Sequence, residues 1–198
     1  MTIWKPHVVV AAIIERDGRF LMVEETTEDG VRYNQPAGHL EAHESLLDAV
    51  VRETMEETAH HFAPEALLGI YRWRARPHPG PLPGFAPLTP TLSRSREREQ
   101  TLSPNRLTGE GDIASLRDSQ PRTDRVYLRF AFTGRVTDFD PESSLDAGIL
   151  RALWLTPAEI DALKPQHRSP LVAQCIADYQ AGRRYPLELL THFEDAHT

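Results

Sequence analysis

Glu53, Glu56 and Glu57 stand in one short run, Arg52-Glu53-Thr54-Met55-Glu56-Glu57, and Glu41 and Glu44 precede it. With Asp48, six acids lie between Glu41 and Glu57. If the run is helical, Glu53 and Glu57 are one turn apart with Glu56 beside both. Three carboxylates then share a surface on which each like-charge pair costs about a few tenths of a kcal/mol. A divalent cation offsets that repulsion directly, and carboxylates, a backbone carbonyl and water are the hard oxygen donors that Mg²⁺ takes, with Mn²⁺ as an alternative. The competing reading is a solvated acidic face in which Arg52 pairs with Asp48 and Glu56, for about 0.3–0.5 kcal/mol each. The preceding segment favours the cation: Tyr33-Asn34-Gln35-Pro36-Ala37-Gly38 reads as a strand meeting a proline and glycine turn, which can bring backbone carbonyls close to the carboxylates.

Other side chains with usable chemistry are less sharply patterned. His7 and His39 could meet a phosphate or base at the mouth of such a site, or be structural histidines. Arg129 lies on a candidate strand, either as a clamp on substrate oxygens or as an edge-facing, solvated residue. Trp4, Tyr33 and Trp73 could stack on a purine or pyrimidine ring or pack in the core; Trp154 reads as core. The His60-His61 pair follows the candidate helix and suits its C-terminal dipole better than a metal.

The elements that must position these groups are legible in outline. Val8 to Ile14 and Phe20 to Val23 are apolar runs around Asp17-Gly18, a hairpin signal that places a sheet first. Ser45 to Thr58 reads as a helix, since Leu47, Val50, Val51, Thr54 and Thr58 fall on one arc at 100° per residue. Leu67 to Trp73, Val126 to Val136 and Ala152 to Leu155 are further strand candidates. Thr156-Pro157-Ala158-Glu159 is a capping box with proline at the first helical position, opening a short helix stopped by Lys164-Pro165. A last helix runs from Ser169-Pro170 to Gly182 with Leu171, Val172, Cys175, Ile176 and Tyr179 on its apolar stripe.

Composition sets the outer bounds. A chain of 198 residues, 40% hydrophobic and 26% charged, can bury one sizeable core. A formal net charge of -7 argues against a nonspecific grip on nucleic acid and leaves small anions to a local device such as a metal. The longest apolar run is too short to span a bilayer, the first residues do not read as a signal peptide, and Cys175 is the single cysteine; the expected setting is the cytoplasm. Half of the 16 prolines fall between Pro77 and Pro121, where apolar periodicity is lost. The expectation is a single domain over 1–198 carrying a Pro-rich, disordered insertion at about 79–123, dispensable for fold and activity.

The acidic run and its approach resemble the Nudix hydrolases, whose signature is Gly, five residues, Glu, seven residues, Arg-Glu, an apolar residue, any residue, Glu-Glu, any residue, Gly and an apolar residue. Gly38, Glu44, Arg52, Glu53, Glu56 and Glu57 match at the required spacing, whereas Thr54, Ala59 and His60 depart from it. Trp4-Lys5-Pro6-His7, Asn34 to Glu41, Tyr127 to Phe130, Ser169 to Val172 and Arg184 to Glu188 look like the NudJ-type phosphatase branch, so the resemblance spans nearly all of the chain outside the insertion.

That resemblance implies an α/β fold, an α/β/α sandwich with a mixed sheet. It implies Mg²⁺ held by Glu53, Glu56, Glu57 and the Gly38 carbonyl, with Arg52 and Glu44 orienting the ligating carboxylates. Either Glu53 or a loop acid, Glu142 or Asp146, would take the proton of the attacking water. His39, Arg129 and Tyr33 are the candidate substrate contacts. The implied activity is cleavage of phosphoanhydrides in nucleoside di- and triphosphates and small organic diphosphates, such as that of the thiamine pyrimidine precursor, with release of phosphate. The partner is thus a small molecule, with no membrane or nucleic acid, and the chain acts as a monomer or homodimer. The alternatives are a pyrophosphatase of ADP-ribose or dinucleotides and a noncatalytic nucleotide-sensing module, for which Ala59, His60 and the insertion speak.

Overall fold

The computed structural model describes residues 4–75 and 125–193. All of these belong to one compact unit, Met1–Ala75 with Arg125–Thr198; the insertion expected at about 79–123 lies outside the described residues. Chain order is β1 (His7–Arg16), β2 (Arg19–Thr27), β3 (Gly30–Asn34), β4 (Ala37–His39), α1 (Leu46–Thr58), β5 (His60–Ala75), β6 (Arg125–Phe139), β7 (Ile149–Leu155), α2 (Pro157–Ala162) and α3 (Leu171–Gln180).

The sheet runs β3-β2-β1-β6-β5, with β4 added to β1 and β7 to β2. Strands β1 and β6 are parallel and the other pairs antiparallel, so the sheet is mixed. Strand β1 can be apolar along its whole middle because both of its faces are covered. Ala11 and Ile13 join Met22, Ala131, Val172, Cys175 and Ile176 on the α3 side, while Val10, Ala12 and Ile14 join Leu21, Ala49, Val50 and Phe132 on the α1 side. Burying each of the larger of these side chains, the Val, Ile, Leu, Met and Phe, stabilises the fold by about 1.5–3 kcal/mol. Helices on both faces make this the α/β/α sandwich, and Cys175, fully buried, is a packing residue.

One irregularity in the sheet creates the site. The hairpin turn at Asp17 and Gly18, both left-handed with φ 52° and 76°, pairs β1 with β2 only at Glu15–Phe20 and Arg16–Arg19. Farther along, β1 turns that edge to β4, pairing Val9, Val10 and Ala11 with His39, Gly38 and Ala37. The sheet splits there, and Pro36 to His39 lie at the split.

Two boundaries differ from the periodicity. Strand β5 starts at His60 rather than Leu67, because Ala59 caps α1 in the left-handed region (φ 56°) and turns the chain straight into the sheet. Register shifts between His61 and Phe62 and between Pro64 and Ala66 accommodate Pro64 within the strand and break its alternation. Helix α2 ends at Ala162 as expected, but Pro165 then sits inside a 3-10 turn, Lys164–Gln166.

Ala59 stands where the signature has glycine, and a left-handed alanine costs about 1–2 kcal/mol against the 0.4–1 kcal/mol of extra chain entropy that glycine carries unfolded. Ala59→Gly should therefore raise the melting temperature by roughly 1–4 °C. No rise in a thermal scan would show that the buried methyl group packs as favourably as the backbone is strained.

Candidate active site

Helix α1 is opened by Ser45, whose hydroxyl accepts from the Asp48 N–H at 3.1 Å while the Asp48 carboxylate accepts from the Ser45 N–H at 3.3 Å. This capping box occupies Asp48, so the Asp48–Arg52 pair of the solvated-face reading does not form. Arg52 instead grips Glu44 with two parallel bonds, Nε to Oε2 at 2.9 Å and Nη2 to Oε1 at 2.7 Å. Its Nη1 donates to Glu53 at 2.9 Å and to Glu56 at 2.8 Å, and its Nη2 to the His39 carbonyl at 3.1 Å. One guanidinium thus ties the loop to the acids of the helix, a forked geometry that lysine could not reproduce. The Arg52 bonds hold the Glu44 carboxyl below its ordinary range.

The remaining acids turn inward. Glu57 accepts from the Ala37 N–H at 2.8 Å. Burial pushes its carboxyl up to about 8, with Glu53, Glu25 and Asp146 adding to the rise against the Ala37 bond. Glu53, 8% exposed, is also raised, first by burial and then by Glu56 and Asp146, with Arg52 opposing. Gly38 leaves the room for this: a Cβ at that position would overlap the Glu53 carboxylate. Glu25 on β2 is raised by burial too, against the pull of Arg168 and Arg129.

Among the described residues no three acid, imidazole or thiol groups already surround one point as a finished metal cage. Glu57 is held by Ala37, and Glu53 and Glu56 by Arg52. The donor chemistry nevertheless fits a hard divalent cation: half-buried carboxylates raise one another toward the neutral form, which a cation would reverse, and a side-chain-free backbone lies against one of them. Glu53, Glu56, Glu57 and the Gly38 carbonyl are the groups that would hold it.

The other candidates are placed unevenly. Asp146 reaches the acids: its N–H donates to the Glu56 carbonyl at 2.9 Å, and its charge acts on Glu53 and Glu57. Glu142 is exposed on the same loop, with its N–H on Asp140. Arg129 is not the solvated edge residue that one reading allowed. It is 6% exposed, donates to Gln35 and Asn34 at 3.3 Å each, and its Nε has no hydrogen-bond partner among the described residues. Tyr33 gives its hydroxyl to Glu24 at 3.0 Å, on the face of β2 opposite Glu25. His39 is exposed beside Gly38, with its ring held below the ordinary imidazole range by partial burial and by His7.

His60 corrects an expectation. It is buried, donates its Nδ1–H to the Thr58 carbonyl at 2.7 Å, and burial lowers it, so it is a packed neutral ring against Phe139 and Trp154 rather than a charge on the helix dipole. Trp4 is 61% exposed, with the Arg72 guanidinium 5.8 Å from its ring, and is not core. Glu25 escaped the sequence reading. Its signal was two consecutive acids, Glu24-Glu25, closing an apolar strand, one of which must point to each face.

Comparison with known proteins bears on the same residues. The NUDIX domain family model matches residues 5–110. Phosphatase NudJ of Shigella boydii serotype 4 (strain Sb227) is 34% identical over 191 residues, covering 96% of this chain and 94% of its own. Phosphatase NudJ of Escherichia coli (strain K12) is 33% identical with the same coverage. Among solved structures, a NUDIX hydrolase from Nitrosomonas europaea is 40% identical with a TM-score of 0.70, over 96% of this chain and 98% of its own. A UDP-X diphosphatase, at 15% identity and a TM-score of 0.56 over 94% of this chain and 68% of its own, shares the fold alone. From the split sheet that seats Gly38 against Glu53 to a likeness running nearly end to end, everything agrees that the chain belongs to the Nudix hydrolase family.

Proposed function

We propose that the chain is a Mg²⁺-dependent hydrolase that releases phosphate from nucleoside di- and triphosphates and from related small organic diphosphates, such as the thiamine pyrimidine diphosphate. The supporting observation is the convergence of Glu53, Glu57 and the bare Gly38 backbone, with Arg52 fixing Glu53 and Glu56 from the side. Similarity to the NudJ phosphatases points to phosphate as the product. Bound at Glu53, Glu56, Glu57 and the Gly38 carbonyl, the ion would neutralise the diphosphate and orient water. Arg52 and Glu44 hold those carboxylates in place. Glu53 takes the proton of the attacking water, its carboxylate being raised by burial toward the working pH. Asp146 is the second reading for that role, on the strength of its charge acting on both Glu53 and Glu57. Of the three candidate substrate contacts, His39 is exposed next to Gly38, and Arg129 is a buried counter-charge to Glu25 and Glu57. The single buried cysteine suits work in the cytoplasm.

A screen of phosphate and pyrophosphate release over nucleotides and small diphosphates, with and without Mg²⁺, tests this. One phosphate per turnover is expected, and only with the metal. Two nucleoside phosphates from ADP-ribose or a dinucleotide would replace the reading with that of a pyrophosphatase. Calorimetric nucleotide binding with no release at all would leave a sensing module.

We also propose that residues 76–124 are dispensable. Ala75 and Arg125 are direct cross-strand partners in β5 and β6, the geometry that a two-residue turn closes. Replacing 76–124 by Asn-Gly should give a folded protein with unchanged turnover; an insoluble product would tie the segment to folding.

A further inference from the structure

Four rings stand in a row across four adjoining strands. They are His39 on β4, His7 on β1, Tyr127 on β6 and Trp73 on β5. His7 is the direct partner of Tyr127, and Trp73 is the direct partner of Tyr127 on its other side, so these three side chains share one face of the sheet. The centroid distances are 5.6 Å from His39 to His7, 5.2 Å from His7 to Tyr127 and 5.4 Å from Tyr127 to Trp73. Tyr127 and Trp73 lie within 22° of parallel, and His7 within 31° of Tyr127, so the row is a tilted stack with His39 set edge-on at its end.

A cross-strand ladder of this kind can exist only to hold a sheet together, but the surroundings argue for more. None of the four rings belongs to either apolar cluster. His7 and His39 are exposed and Tyr127 and Trp73 half-buried. On the same face, two residues inward, Arg129 is buried, and Tyr71, half-buried, packs against the α3-side cluster and bonds Asp178 of α3 at 2.8 Å. The row therefore lies just beyond that cover. Its His39 end adjoins Gly38, and the His39 carbonyl is itself a ligand of Arg52. A molecule with its diphosphate at the acids has its organic portion extending from that point.

We propose that the His39, His7, Tyr127 and Trp73 row is the stacking platform for the heteroaromatic ring of the substrate. This rests on the hydrolase reading above and adds the substrate's organic portion to it. Ring faces carry few directed donors, so the platform selects for a planar heterocycle and tolerates either purine or pyrimidine.

The test compares kcat/KM for a nucleoside diphosphate with that for inorganic tripolyphosphate, a phosphoanhydride without a ring, in the full chain and in His7→Ala and Tyr127→Leu. The preference for the ring-bearing substrate should fall about tenfold or more in Tyr127→Leu, through KM, and less in His7→Ala. A nucleoside monophosphate should also quench tryptophan fluorescence in chelator, and Trp73→Phe should abolish the quench. Equal losses on both substrates, or a quench that persists in Trp73→Phe, would overturn the platform. His7 lies at the exposed start of β1, so its variant keeps the comparison open should Tyr127→Leu fold poorly. A wild-type chain that releases no phosphate from either substrate sinks the hydrolase reading alone, because quenching is read without turnover.

Discussion

Glu57→Gln and Glu53→Gln are each expected to lower phosphate release about a thousandfold or more, the scale on which enzymes lose a metal ligand or a general base. The same substitutions should leave the metal-free protein as stable as before or more so, because each replaces a carboxyl whose charged form is disfavoured by burial and by the neighbouring acids. Glu57 shows the sign most clearly. Its folded carboxyl lies near 8, above the ordinary carboxylate range, so the folded state holds its proton more tightly than the unfolded chain does. That contribution favours the fold fully below the ordinary carboxylate range, is lost as pH rises toward 8, and is flat above it. In chelator, the wild-type melting temperature should therefore decline across that window. Glu57→Gln keeps an acceptor for the Ala37 N–H, should lack this decline, and should melt higher at pH 8, by about 2–4 °C for each kcal/mol relieved. A loss of stability at pH 8 together with full turnover would remove Glu57 from the metal set.

The chemistry was readable before the fold because a signature of fixed spacing survives without knowledge of its surroundings. Ser45 as the start of α1, the box at Thr156 and the apolar stripe of α3 were readable for the same reason: each depends on neighbours three or four residues away. What escaped depends on contacts distant in sequence. Arg52 has acids at four residues in both directions, and helix spacing alone cannot say that Asp48 is already engaged at the N-terminus and Glu44, outside the helix, takes its place. Arg129 lies on a strand whose pattern admits either face as core. Only the register placing it opposite Val9 and Tyr71 buries it with Asn34 and Gln35. Glu25 joins the acids through β2, about thirty residues before Glu53 and Glu57, and no local period predicts that meeting.

Gly38 carries the second large expected effect, and its reason is space rather than backbone freedom. It has an ordinary φ, so alanine fits its conformation, yet the added methyl group would fall on the Glu53 carboxylate, buried and held by Arg52. Something must yield, and the Glu53 side chain is the flexible partner. Displacing a reacting group by about 1 Å costs on the order of a hundredfold in rate. Gly38→Ala should therefore lose at least that much kcat with little change in melting temperature. Gly182→Ala gives the opposite pattern: φ there is +75° with nothing within 4 Å of the added carbon, so stability falls by about 1 kcal/mol and turnover stays. If Gly38→Ala behaved like Gly182→Ala, destabilised but fully active, the close approach of the loop backbone to Glu53 would have no part in catalysis. The Gly38 carbonyl would then lose its place beside the three glutamates.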